Sequence, residues 1–81
     1  MTNDEKLKEL LLDVFLIDES EYNLDTSQDD LETWDSMGLV SMAVGVEETF
    51  GYHLTQEEAL SIRTFRDVVE ILKSKGIPFD G

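Results

Sequence analysis

The sequence predicts an all-α protein: a four-helix bundle with three longer helices, one short helix, and a long loop between helices 1 and 2. Three observations lead there. Apolar residues recur at helical spacing in three separate segments. Side chains able to cap a helix stand ahead of helical segments, at Thr2, at Asp35 or Ser36, and at Thr55. No segment alternates with a period of two. Leu, Ile, Val and Phe make up 25 of the 81 residues, enough for a core despite the charge. A chain of this length is one small domain with a radius of gyration of about 12 Å. Residues 1–75 form that domain and 76–81 a C-terminal tail without a readable signal.

The first helix is expected at about residues 3–16. Thr2 and Glu5 have the spacing of a capping box, and Leu7, Leu10, Leu11, Val14 and Phe15 make one apolar stripe. Residues 18–34 lack a sustained period and are rich in acids, Ser, Thr and Asn. So long a loop in so small a domain is usually functional. Tyr22, Leu24, Leu31 and Trp34 are the candidates to peg it to the core. The second helix starts at Asp35 or Ser36, runs to about Phe50, and ends at Gly51, which suits a left-handed C-terminal position. Thr55 and Glu58 open a short helix with Ala59, Leu60 and Ile62 turned inward. The last helix starts near Thr64, buries Phe65, Val68, Val69 and Leu72, and closes with Lys73, Lys75 and Gly76. Pro78 then ends regular structure.

Charge restricts the partners. Nineteen acids against six bases give −13, and no Lys or Arg lies between Lys8 and Arg63. Nucleic-acid binding needs basic side chains against phosphates, so no nucleic-acid partner is expected. Anionic membrane surfaces are disfavoured for the same reason, and no apolar run is long enough for membrane insertion. Proteins with basic patches are the expected partners, met through long-range steering. With no Cys, thiolate metal sites and disulfides are excluded. A calcium loop read from Asp25 fails, because its sixth position is Asp30 instead of Gly and its twelfth is Ser36 instead of Glu. No metal is expected. His53, the only histidine, has no catalytic spacing to support it and reads as a loop or surface residue. The expected setting of this chain is the cytoplasm, as a monomer.

The second helix is unusual. Leu39, Met42, Ala43, Val46 and Phe50 form a core stripe, while Met37, Val40 and Val44 form a second one displaced round the helix. A four-helix domain this small cannot enclose such a helix completely, so the second stripe is expected to be partly exposed and open to partners, with additional core as the alternative. Ser36, at the helix head, has two readings as well. It caps the first turn, or it carries a phosphoester where free amides and the helix dipole favour an anion.

The run Asp35-Ser36-Met37, followed by Val40, Glu47-Glu48, Phe50, Leu54, Glu57-Glu58-Ala59 and Ile62, resembles the acyl carrier protein family. That family's signature is Asp-Ser-Leu or Asp-Ser-Met at the start of its second helix. The resemblance spans about residues 3–75. It implies a 4′-phosphopantetheine arm, covalently joined to Ser36 from coenzyme A by a separate phosphopantetheinyl transferase. The arm's thiol would hold acyl groups as thioesters for fatty-acid or polyketide-type biosynthesis. By the same resemblance the chain is a non-catalytic carrier, and its second helix is the main partner face. Asp35, Met37, Val40, Val44, Glu47 and Glu48 then dock an acyl-loading ligase or synthase and acyltransferase-type enzymes with basic patches. Met42, Val46 and Phe50 lie nearer the interior.

The chain departs from the family pattern at Gly38 and Ser41, where many fatty-acid carriers have acidic or polar residues, and at Trp34, where a small residue is commoner. These departures look more like a specialised, stand-alone carrier. Trp34 either packs across the loop or shapes a partner's approach. Gly38 and Gly45 point to local flexibility or to close backbone approach. An aminoacyl or D-alanyl carrier, and a non-covalent acidic adaptor with no prosthetic group, are the alternative functions.

Overall fold

A computed structural model describes residues 2–79. Four helices follow in order: α1 (Asn3–Phe15), α2 (Ser36–Phe50), α3 (Gln56–Ser61) and α4 (Phe65–Ser74). The α1–α2 connection is not featureless. It holds two single 3₁₀ turns, Glu19–Glu21 and Gln28–Asp30, too short to show as a period in sequence.

Each helix begins as its first residues dictate. Thr2, Asp35, Thr55 and Thr64 stand just ahead of α1, α2, α3 and α4, and each side chain accepts from a backbone amide three residues on. α1 stops at Phe15, one residue earlier than expected, because Leu16 takes a left-handed backbone with φ 55°. α2 stops at Gly51, whose φ of 75° costs a residue without Cβ nothing.

The core is built from the predicted stripes. Leu7, Leu11 and Phe15 from α1, Met42 and Val46 from α2, and Phe65, Val68, Val69 and Leu72 from α4 are buried together. Leu60 corrects the expectation for α3, since it is 60% exposed. Residues two apart on a helix differ by about 200° in direction, so Leu60 and Ile62 cannot share a face. Ile62 reaches the core by leaving the helix, as its extended C-cap.

The long loop is held by two kinds of contact. Trp34 is buried and stacks on Phe15 and Phe65 with centroids 5.0 and 5.2 Å away, and Tyr22 stacks on Phe65 at 5.7 Å. Trp34 therefore packs across the loop. The loop backbone also supplies acceptors to the start of α4: Arg66 N–H donates to the Leu24 carbonyl at 2.9 Å, and Phe65 N–H to the Thr26 carbonyl at 3.3 Å. These are amides a helix start leaves without partners, so a polar segment is ordered by filling them. The Arg66 guanidinium adds an ion pair to Asp25 at 2.9 Å.

The C-terminal segment is more tied down than its composition suggested. Ile77 and Phe79 pack on the core, Phe79 lies 5.7 Å from Phe50, and Asn3 Nδ2 donates to the Pro78 carbonyl at 2.9 Å. Asp80 and Gly81, the rest of the expected tail, lie outside the described residues.

Candidate functional site

The head of α2 settles which residue caps it. Asp35 is extended, and its Oδ1 accepts from the Gly38 amide at 2.8 Å. Its carbonyl accepts from the Leu39 amide at 2.9 Å. Ser36 is thereby the first helical residue and is relieved of the capping role. Its side chain is exposed, and its hydroxyl has no hydrogen-bond partner among the described residues.

Two glycine-sized gaps explain how close α2 lies to its neighbours. A Cβ on Gly38 would sit 2.4 Å from the Thr33 carbonyl oxygen and 3.2 Å from the Phe15 ring. A Cβ on Gly45 would meet Leu10 Cδ1 at 2.2 Å. Close approach is therefore what the glycines provide. At Gly38 it brings the segment Thr33-Trp34-Asp35 against the helix end, and the Thr33 hydroxyl donates to the Phe15 carbonyl at 2.6 Å. Ser36 stands on a turn braced from below.

The second stripe faces solvent. Met37 is 79% exposed, Val40 64% and Val44 51%. Asp35, Glu47 and Glu48 are exposed around it, and Glu47 Oε2 lies 2.8 Å from His53 Nδ1. Met42 and Val46 are buried and Phe50 partly so, leaving the two faces of α2 distinct.

Beside Ser36 runs a groove of about 500 Å³ between α2 and α3, a volume within the range of small-molecule sites. Leu39, Val40, Ala43 and Val44 form one wall; Leu54, Ala59 and Leu60 form the other. Ser36 lies at its α2 end, and the polar lining is confined to Ser36, His53, Thr55 and Gln56. Sequence reading missed the α3 wall. The available signal was Leu60 itself, an apolar residue on the wrong side of a six-residue helix.

The α3 wall has a polar fastening at Glu58, beside the burial of Leu54 and Ile62. Glu58 receives the Tyr52 hydroxyl and the Thr55 amide, and Lys75 Nζ lies 3.6 Å from its other oxygen. The Tyr52 hydroxyl, then the Thr55 amide, holds the Glu58 carboxyl down at about 2. Among the described residues no group of His, Asp and Glu is arranged to hold a metal ion, and no helix is long and apolar enough to cross a membrane.

The family model described as "Phosphopantetheine attachment site" matches residues 5–72. Among curated proteins, the chain is 39% identical to the acyl carrier protein of Petrotoga mobilis over 93% of this chain and 92% of the relative. It is 33% identical to that of Coprothermobacter proteolyticus over 86% and 85% of the two chains. It is also 33% identical to that of Solidesulfovibrio magneticus over 93% and 96%.

Proposed function

The chain belongs to the acyl carrier protein family, whose cofactor is 4′-phosphopantetheine, and on that premise we propose that Ser36 is its attachment point and the α2–α3 groove the shelter of its cargo. The observation that carries this reading is an exposed, unpartnered serine hydroxyl at the mouth of an apolar groove. Because Asp35 already caps the helix, Ser36 can be modified without the first turn losing a hydrogen bond.

A separate transferase would make the bond. The Ser36 Oγ attacks the pantetheine-side phosphorus of coenzyme A, the pyrophosphate bridge breaks, adenosine 3′,5′-bisphosphate leaves, and the hydroxyl proton passes to the transferase. The phosphodiester sits at the positive end of α2, where a negative charge is favoured. The bound group supplies a thiol that holds the cargo as a thioester. This chain's own residues do the rest: Leu39, Ala43, Leu54 and Ala59 exclude water from an apolar chain, and Leu60 and Val40 form the rim. The lining favours an acyl group over an aminoacyl group, whose ammonium would lose its hydration there.

Partner enzymes would meet Asp35, Met37, Val40, Val44, Glu47 and Glu48. The acids steer basic surfaces, and exposed ion pairs worth about 0–1 kcal/mol each let the carrier leave as readily as it arrives. The candidates are the transferase, an acyl-loading ligase or synthase, and acyltransferase-type enzymes. Intact masses of wild type and Ser36→Ala after incubation with coenzyme A and a broad-specificity transferase test the proposal. Addition of phosphopantetheine to wild type alone is expected. No addition with several competent transferases would leave a non-covalent adaptor as the better account, and an amino acid found on the thiol after loading in cell extract would displace the acyl cargo.

A further inference from the structure

Leu16 carries two unfavourable features at once. It is 81% exposed, and it is the one non-glycine residue with positive φ among the described residues. A lone exposed leucine needs no explanation, but a leucine in a left-handed position that glycine would occupy without strain does. The backbone there is useful to the fold: the Leu16 amide closes the helix on the Leu12 carbonyl, and the Ile17 amide donates to the same oxygen at 3.2 Å. The side chain is not. Phe15 and Ile17 pack in the core, and Leu16 does not.

Its location supplies the reason. The Thr33 hydroxyl holds the Phe15 carbonyl at 2.6 Å, and the Phe15 ring lies under Gly38, so the end of α1 is fastened to the turn that presents Ser36. We propose that Leu16 is a contact for the phosphopantetheinyl transferase, an exposed apolar prong at the end of α1 in addition to Met37 and Val40 on α2. The inference rests on Ser36 being the modified residue. Later enzymes reach a cargo through a long arm, whereas the transferase must bring its own atoms to the Ser36 oxygen. A standard interface covers about 800 Å² per partner, and the whole surface here is 5009 Å². A protein seated on Ser36 therefore extends well beyond that residue, and the end of α1 is fastened to the turn that presents it. Exposed Asp13, Asp18, Glu32 and Asp35 flank Leu16 in the chain or through Thr33, so the fitting surface is an apolar pocket rimmed by Lys or Arg.

The test compares wild type, Leu16→Gly and Leu16→Met as apo-proteins. A panel of purified transferases is used with coenzyme A, and results are read on the enzyme with the highest kcat/KM for wild type. Leu16→Gly is expected to melt at or above the wild-type temperature and to lose kcat/KM roughly tenfold, through KM and not kcat. Leu16→Met is expected to stay within about twofold of wild type. A Leu16→Gly protein of raised melting temperature and unchanged kcat/KM overturns the contact and leaves Ser36 standing. A loss carried by kcat alone, or a fall in melting temperature matching the loss, overturns it too. Absence of transfer to wild type overturns both the contact and the Ser36 reading.

Discussion

Replacing Gly38 by Ala sets helix propensity against the packing that positions Ser36. Propensity alone favours Ala over Gly in a helix by about 1 kcal/mol. The structure opposes it. The new methyl would lie 2.4 Å from the Thr33 carbonyl oxygen, whereas carbon and oxygen in weak contact sit about 3.3–3.6 Å apart. Roughly 1 Å must be found, and the Phe15 ring at 3.2 Å blocks retreat on another side. The obstruction is backbone, so no side-chain rotation relieves it. Overpacking costs about 1–3 kcal/mol, and with a backbone oxygen on one side and a core ring on the other the upper part of that range, about 2–3 kcal/mol, applies. We expect a net loss of about 1–2 kcal/mol, a fall in melting temperature of roughly 5–15 °C for a domain of this size. Gly45→Ala is the control. Its methyl would meet only the Leu10 side chain, Cδ1 at 2.2 Å and Cγ at 3.3 Å, which can rotate where a backbone carbonyl cannot, so it is expected to be more stable than Gly38→Ala by at least about 1 kcal/mol. Thermal and urea melts followed by helical circular dichroism read both. A Gly38→Ala protein as stable as wild type would refute the argument that the glycine serves close approach.

Three further outcomes are expected. Asp35→Ala loses the bond to the Gly38 amide and about 1 kcal/mol of stability in a urea melt, whereas Asp35→Asn keeps most of it, since either side chain can cap. Glu58 has its folded pKa depressed to about 2, against an ordinary value of 4.5. Its contribution is therefore fully present above about pH 4.5 and is lost as pH falls toward 2. Melting temperature should decline across that window, and Tyr52→Phe should flatten the decline because the Tyr52 hydroxyl is the largest cause of the shift. Leu60→Glu, at an exposed rim position, should change stability by no more than about 0.5 kcal/mol yet lengthen retention of the acylated protein on a hydrophobic column, because a charged rim shelters the chain less.

Most of the fold was legible because it rests on local patterns. The stripes of α1 and α4, the caps at Thr2 and Thr55, the start of α4 near Thr64, and Gly51 are each decided within a few residues. The exposed stripe of α2 was legible by counting, since a domain this small cannot enclose a helix that is apolar nearly all round. What escaped is non-local. Nothing in the order of residues 18–34 says that their carbonyls complete the start of α4, forty residues on. The groove needs two helices and a turn, and Leu60 joins it only because α3 ends at Ser61 and releases Ile62 to the core. Leu16 escaped because a left-handed leucine leaves no mark on periodicity. At the site itself, sequence left the cap of α2 divided between Asp35 and Ser36. The extended backbone of Asp35 and its bond to Gly38 decide it, and free the serine for another use.

The use proposed for it can be tested at a single atom. The purified protein, treated with coenzyme A and a phosphopantetheinyl transferase, is digested and its peptides are fragmented in a mass spectrometer. The added phosphopantetheine is expected wholly on Ser36, and none of it on Ser20, Ser27, Ser41, Ser61 or Ser74. Label at any of those five, or an unlabelled Ser36 when the intact protein has gained the mass, would contradict it.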